Sequence, residues 1–475
     1  MAKLNHPSLD TYFQYLHHYP HQLIIGHENQ VLLEKIQTAS TQLNQSLADL
    51  SLPYPPRILI IEPEPVQFIS LFLAASTTNS HIFLCNPHWG QNEWEQVFHL
   101  TQPDLIIGSY PLISTPIPLP LHPPHLQTSP QIMIPTGGTS GQIKFAVHTW
   151  ETLSASVSGF LQHFQLSSAN FICTLPLYHV SGLMQFLRTF LSGGKLVIAD
   201  YKQIESAILP TIHPQDFFIS LVPTQLRRLL QHPPLIPWLS QMQAILLGGA
   251  SPGIDLLNLA RFHHLPLALT YGMTETASQI ATLLPQQFLQ GANHCGQVLP
   301  HAQIQIIDEN GNPLPNQSIG QIQIQSASLM AGYYNHNQIN HISQNNFQPD
   351  DLGFFDSEKN LHIIGRNSDK IITGGENVFP AEIEAIIRST GLVADIKIIG
   401  IPDPEWGEAV TAIYVPHSHN YLQQNVINTI KSLLQTQLSK YKIPKHWIPV
   451  STIPRNPQGK VNRHELEKIT YAYLT

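Results

Sequence analysis

The segment IPTGGTSGQIKFAVHT, residues 134–149, crowds Gly137, Gly138 and Gly141 together with Thr136, Thr139 and Ser140, and adds Lys144. Glycines let backbone N–H groups approach phosphate oxygens, hydroxyls add donors, and a lysine adds a point charge. A Walker loop would place the lysine directly after the last glycine, with Ser or Thr next. Here Lys144 stands three residues after Gly141 and Phe145 follows it, and no GxGxxG occurs. By itself the segment fits an ordinary turn as well as a phosphate cradle.

Other reactive residue types give weaker patterns. Among the 26 histidines there is no HExxH. Pro20 interrupts any helix between His17 and His21, and the adjacent His263 and His264 cannot share a helix face. Cys85, Cys173 and Cys295 are far apart and form no CxxC, as expected for reduced thiols.

The elements that must carry the loop read as alternating strands and helices. RILIIEP, HIFLCNP and DLIIGSY are short apolar strands, and PVQFISLFLAAS between the first two is helical. QIMIPTGG is a strand running into the loop, and TWETLSASVSGFLQHF follows as a helix. FICTLPL, KLVIAD, FFISLVP, AILLGGA and LALTYGMTE continue the alternation, which favours a mainly parallel sheet covered by helices. Residues 112–129 are Pro-rich and irregular. After about residue 300, AQIQIID, GQIQIQS and LHIIGR alternate apolar and polar residues as half-exposed strands do. PAEIEAIIRS begins with proline at a helix N1 position and puts Ile383, Ile386 and Ile387 on one face. NVINTIKSLLQTQL aligns Val426, Ile430, Leu433 and Leu434, so the last hundred residues read as a small α+β unit.

A chain of 475 residues is too long for one core and implies two or three domains. Charged residues are only 11%, against a usual share of about 25%, and the net charge is −8, so no basic stripe points to nucleic acid. The apolar run FISLFLAAS is far shorter than the roughly 20 residues of a membrane span, and the N-terminus lacks an apolar signal core. The expectation is a soluble cytoplasmic protein. Its oligomeric state is open, a homodimer being one arrangement.

Four more segments accompany the loop in order. They are YGMTETA at 271–277, DDLGFF at 350–355, GRNSDKIITGGENVFPAEIE at 365–384 and PRNPQGKVNR at 454–463. Together the five resemble the adenylate-forming superfamily, which includes acyl-CoA synthetases, peptide-synthetase adenylation domains and luciferases. The resemblance implies an α/β fold: a large N-terminal domain, 1–367, of β-sheets layered with helices plus a β-rich subdomain, and a small mobile α+β C-terminal domain, 368–475. It also implies an AMP-forming acid–thiol ligase using ATP, Mg²⁺ and coenzyme A.

Carried over residue by residue, the resemblance implies that Thr136, Gly137, Gly138, Thr139, Ser140, Gly141 and Lys144 hold the β- and γ-phosphates. Thr274 would bond the α-phosphate or the substrate carboxylate, and Glu275 would hold Mg²⁺, a hard ion suited to carboxylate oxygens. Tyr271 would flank adenine, Asp351 would accept the ribose hydroxyls, and Arg366 would support the ribose. Lys460 would bridge the carboxylate and the α-phosphate during adenylation. Ser368 would be the hinge, where many members carry Asp or Lys, and Gly374 and Gly375 would line the pantetheine tunnel. The chain departs from the pattern at Gly137, where serine is common, and at Asp350, where Thr-Gly usually precedes the aspartate.

LPLYHVSGL, LVPTQLRRLL, LLGGAS and KFAVHT resemble the CoA ligases of this superfamily that activate o-succinylbenzoate on the route to menaquinone or phylloquinone. That acid is a dianion, and arginine is the usual planar partner for a carboxylate. Arg227 and Arg228 diverge by about 100° on a helix, and the resemblance selects Arg228. His179 would line the acyl pocket or gate the thiol path, and Gly248 and Gly249 would form a flat slot for the aromatic ring. The competing expectations are a ligase for benzoate, cinnamate or a fatty acid, and a non-catalytic nucleotide-binding protein.

Overall fold

The computed structural model describes residues 14–19, 21–109, 130–137, 142–335, 338–341, 346–373, 376–404, 406–417, 423–455 and 461–474. Within these, two seven-stranded sheets form the body of the molecule. The first sheet runs in the order Gln338–His341, Gly332–Asn335, Ile143–His148, Gln131–Gly137, His81–Cys85, Arg57–Ile61 and Leu105–Ile107. The second runs Gln297–Val298, Ser278–Thr282, Leu267–Met273, Ala244–Leu247, Phe217–Leu221, Asn170–Cys173 and Leu196–Ile198. Each is parallel through its α/β part and becomes antiparallel at the end that carries the motifs.

The apolar strands are explained by burial on both faces, as in any parallel sheet covered by helices. Ile58, Ile60, Ile82, Leu84, Ile132 and Ile134 of the first sheet face the same core as Phe171, Phe218 and Leu246 of the second. Helices Pro65–Ser76, Trp150–His163 and Val180–Ser192 fill that core between the sheets. The alternate residues turn outward. Leu59, Phe83 and Met133 pack with Trp94 and Phe98 of helix Gln91–Thr101, and Ile172, Ile219 and Ile245 pack under helices Pro223–Leu229 and Ile254–Phe262. One ion pair is fully enclosed at the sheet edge: Arg57 Nε donates to Asp104 Oδ2 at 2.9 Å and Nη2 to Oδ1 at 3.0 Å.

A four-stranded antiparallel sheet, Ala302–Ile307, Gly320–Ser326, Asp351–Phe355 and Leu361–Arg366, forms the β-rich part. Its Ile306, Ile322, Ile324 and Leu361 pack with Tyr271 and Ile280 of the second sheet. The C-terminal unit has Ile371–Thr373, Glu376–Val378, Val393–Asp403, Gly407–Pro416 and His446–Pro449 in one sheet. Helices Pro380–Ser389 and Gln423–Gln437 bury Ile383, Ile387, Ile430 and Leu434 on one face of it, the stripes expected from their sequences. Helix Arg463–Leu474 contributes Leu466 to a separate cluster with Ile399, Ile413 and Ile448.

One expectation is corrected. The glycine-rich segment does not lead from strand to helix. Ile143–His148 returns as a strand antiparallel to Gln131–Gly137, with Thr136 opposite Lys144, and the helix starts only at Trp150. Phe145 and Val147 drive this return, because they bury against the outer core of the first sheet. Lys144 therefore sits on a strand, exposed, rather than in the loop. The Pro-rich stretch 112–129 lies outside the described residues.

Candidate active site

The strand Leu267–Met273 ends in a single tight turn, Thr274–Thr276. Gly272 is required at its approach, since a Cβ there would lie 2.1 Å from the Ser278 carbonyl oxygen of the returning strand. Ala277 and Ser278 follow with φ of 49° and 87°, the left-handed region that costs energy for residues with a side chain. The surroundings hold this strained backbone one carbonyl at a time. His148 Nε2 lies 2.8 Å from the Thr274 carbonyl oxygen. Met330 N–H donates to that of Glu275 at 2.9 Å, Ser328 Oγ to that of Thr276 at 2.8 Å, and Ser156 Oγ to that of Ala277 at 2.6 Å.

Glu275 is 8% exposed and its carboxylate faces the glycine-rich hairpin. Tyr333 Oη donates to its Oε1 at 2.6 Å, and Thr136 Oγ1 lies 3.5 Å from the same oxygen. Burial, and then the Glu275 charge, push the Tyr333 hydroxyl well above its ordinary value, so it stays a donor. Lys144 Nζ lies 5.3 Å from the Tyr333 ring centre. Glu275 Oε2 takes no hydrogen bond among the described residues. One carboxylate with an unused oxygen beside a phosphate-type loop suits Mg²⁺, which usually takes one or two carboxylates and completes its shell with phosphate and water oxygens.

Three residues before Thr274 on the same strand, Tyr271 meets a second carboxylate, from the strand Asp351–Phe355. Tyr271 Oη donates to Asp351 Oδ2 at 2.8 Å, and Arg366 Nε is 3.7 Å from Oδ1. Asp351 and Arg366 are cross-strand partners, so their proximity is set by sheet register. Asp350, one residue earlier, points elsewhere. Its carboxylate accepts the backbone N–H of Ser368 at 3.2 Å and the Ser368 hydroxyl, and its carbonyl accepts Asn367 N–H at 2.7 Å. Arg463 Nη1 reaches the Ser368 carbonyl and Asp369 Oδ1, both at 3.0 Å. The charge that Asp350 adds is thus directed at the Ser368 turn.

Not every expected residue is brought together. Gly138, Thr139, Ser140, Gly141, Gly374, Gly375 and Lys460 lie outside the described residues, and Gly137 closes the strand beside them. His179 is half-buried at the start of helix Val180–Ser192, its ring 4.8 Å from that of Tyr178. Gly248 and Gly249 follow the strand Ala244–Leu247; a Cβ on Gly248 would meet Thr270 Oγ1 at 2.4 Å, and Gly249 has φ of 80°. Arg227 and Arg228 are both exposed on the outer helix Pro223–Leu229, where Arg227 pairs with Asp255 at 2.8 Å.

Three residues were not anticipated as functional: His148, Tyr333 and Arg188. Arg188 is 2% exposed in the inner helix, with its guanidinium carbon 4.4 Å from the Phe160 ring centre and Nη2 3.2 Å from Ser278 Oγ. Among the described residues no carboxylate pairs with it, and its Nε has no partner. Burial pulls its pKa down to about 9. His301 nearby is held neutral, down at about 4, by burial and then by the Arg188 charge. Tyr333 could have been sought from the tyrosine pair of GYYN. Arg188 gave no signal, because a single arginine in VSGLMQFLRTFLS reads as a solvent-facing position.

The sequence pattern described as AMP-binding enzyme matches residues 111–334, and that of the AMP-binding enzyme C-terminal domain matches 382–460. The 2-succinylbenzoate–CoA ligase of Bacillus velezensis is 32% identical over 344 residues, 72% of this chain and 69% of that protein. The ATP-bound MatB structure from Rhodopseudomonas palustris superposes with a TM-score of 0.81 at 22% identity, over 98% of this chain and 99% of the other. The o-succinylbenzoate CoA synthetase (MenE) structure from Bacillus subtilis, in complex with the acyl-adenylate intermediate OSB-AMP, superposes at 0.75 and 22% identity, over 96% of this chain and 97% of the other.

Proposed function

Since the chain belongs to the AMP-binding enzyme family, we propose that it is an ATP-dependent ligase that adenylates o-succinylbenzoate and transfers the acyl group to coenzyme A. The observation that carries the nucleotide part is the double use of one strand. Near its C-terminal end Tyr271 meets Asp351, which Arg366 flanks, and in the turn that follows Glu275 meets Thr136 and Tyr333. Tyr271 and Thr274 are three residues apart, so the two carboxylates are presented from one short strand-and-turn stretch. A ribose carboxylate and a metal carboxylate presented together in this way suit ATP.

In the first half-reaction an oxygen of the acid attacks the α-phosphorus and pyrophosphate leaves. Thr136 and Lys144, with the loop between them, hold the β- and γ-phosphates; Glu275 would hold Mg²⁺, which when bound would neutralise phosphate charge. Thr274 orients the reacting oxygens, and Lys460 bridges them. In the second half-reaction the thiol sulfur of coenzyme A attacks the acyl carbon, AMP departs, and the thiol proton is released. Residues 1–367 act as the nucleotide- and acid-binding domain, and 368–475 rotate about Ser368 so that Gly374 and Gly375 line the thiol path. The reaction needs no membrane; among the described residues no helix is long and apolar enough to cross one.

For the second carboxylate of the acid, Arg188 replaces Arg228 in this reading. A buried guanidinium without a carboxylate is costly and calls for an anionic ligand. Arg188 also donates to Ser278, close behind the Thr274 turn, whereas Arg228 is exposed on the outer face. His179 and the Gly248–Gly249 pair remain the proposed walls of the acyl pocket. The test is a panel of o-succinylbenzoate, benzoate, cinnamate and a fatty acid, scored for AMP formation that needs both ATP and coenzyme A. The expected outcome is o-succinylbenzoate turned over at least tenfold better than the rest; preference for a monocarboxylate would overturn the substrate.

A further inference from the structure

We infer that His148 is a positioning residue for adenylation: its imidazole grips the Thr274 carbonyl and so fixes the direction in which Thr274 and Glu275 face the nucleotide. The inference rests on the nucleotide reading above. A carbonyl oxygen only accepts, so at 2.8 Å from it Nε2 must carry the proton. Nδ1 of the neutral ring is then an acceptor, 3.0 Å from Thr152 Oγ1, whose one hydroxyl proton is shared between this nitrogen and the Thr149 carbonyl oxygen, also 3.0 Å away. The same Thr152 oxygen accepts the Thr149 N–H at 3.1 Å, so the Thr274 carbonyl sets the tautomer and Thr152 ties the other side of the ring to the helix start.

The surroundings make this contact matter. His148 is 0% exposed, so water does not compete for the carbonyl. Burial keeps the ring neutral, at a pKa of about 4. The three carbonyls that follow are held by a backbone amide and two serine hydroxyls. Apart from the amide of Ala277, 3.1 Å away within the strained turn itself, the first one has only His148 among the described residues. His148 also occupies the strand that carries Lys144, on the same side-chain face by the two-residue period. One imidazole thereby links the lysine-bearing hairpin to the turn that carries Thr274 and Glu275. A misplacement of about 1 Å at such a turn can cost on the order of 100-fold in rate.

The experiment compares His148→Leu, which keeps the bulk and loses the donor, with His148→Gln, whose side-chain amide can donate in the same place. Single-turnover pyrophosphate release reads the first half-reaction, and thioester formation from supplied acyl-adenylate reads the second. Calorimetric binding of MgATP without acid and the thermal midpoint accompany both. The expected result for His148→Leu is a fall of about 10- to 100-fold in the first half-reaction, less than threefold in the second, and recovery of most of the loss in His148→Gln. Equal losses in both halves, or no recovery by glutamine in a folded variant, would overturn the inference. If the leucine variant does not fold, His148→Asn, too short to reach Thr274, takes its place against His148→Gln under the same criteria. A wild-type enzyme that ignores o-succinylbenzoate but turns over another acid defeats the substrate assignment alone, and the His148 comparison is then made with that acid.

Discussion

Tyr271 Oη donates to Asp351 Oδ2 at 2.8 Å, while Arg366 Nε stands 3.7 Å from the other oxygen, so the carboxylate is oriented from both sides before a nucleotide arrives. Burial, and then the Asp351 charge, hold the Tyr271 hydroxyl protonated far above its ordinary range, so it remains a donor at any working pH. Tyr271→Phe should raise KM for ATP about tenfold or more and leave KM for the acid unchanged, one hydrogen bond to a charged group being worth about 1.5–3 kcal/mol. Asp351→Ala should raise it further. Steady-state kinetics with each substrate varied separately check both.

Tyr333 acts on Glu275 in the same way. Removing its hydroxyl leaves the carboxylate, among the described residues, with only the 3.5 Å contact to Thr136. Tyr333→Phe is expected to raise the Mg²⁺ concentration for half-maximal pyrophosphate release about fivefold, read from a Mg²⁺ titration at fixed ATP. An unchanged Mg²⁺ dependence would separate Tyr333 from the metal site.

Arg188 and Arg228 are distinguished by KM for the acid. Arg188→Met removes a buried, unpaired cation, so the thermal midpoint should hold or rise, while KM for o-succinylbenzoate should increase about 30-fold or more. Arg228→Ala should change it less than threefold. The reverse ranking would return the recognition role to the exposed helix.

Lys460→Ala is expected to lose most of the first half-reaction and to keep thioester formation from supplied acyl-adenylate. Comparable losses in the two assays would remove Lys460 from the adenylation step.

Three buried imidazoles set an acid limit. His81, beside Arg57, His148 and His301 are each held down at about 4, by burial first. Above about pH 6.5 neither the folded nor the unfolded chain protonates them. As pH falls below that value the unfolded chain takes up protons that the folded one refuses. Stability therefore falls by about 1.4 kcal/mol per pH unit for each imidazole until the folded form also protonates near pH 4. Denaturant melts between pH 7 and 4.5 should show this loss, and His148→Gln should reduce it by one proton's share.

The parallel strands were legible because burial on both faces demands unbroken apolar runs such as RILII and HIFLC. The isoleucine stripes of the C-terminal helices were legible from helical period alone. Tyr271, Thr274, Glu275 and Asp351 were singled out through their motifs, which act over short stretches of chain. The strand Ile143–His148 was missed because its alternation is short and runs straight into a helical pattern. His148 and Arg188 were missed for a different reason. Their meaning lies in what long-range packing places against them, a carbonyl 126 residues away and two phenylalanine rings, and no local period encodes that.

The four grips on the Thr274–Ala277 carbonyls have a consequence for how the protein comes into being. His148 and Ser156 precede the turn, but Ser328 lies 52 residues beyond Thr276, and Met330 follows it. A chain growing on the ribosome and released only to residue 320 already owns Thr136, Lys144, Tyr271, Thr274 and Glu275, yet lacks two of the four clasps. Contacts of such long sequence separation close late, after the local helices and strands have formed. Competence to hold a nucleotide is thus acquired near the end of synthesis of the large lobe, and a shortened chain that looks folded by its helix content would still be unable to bind.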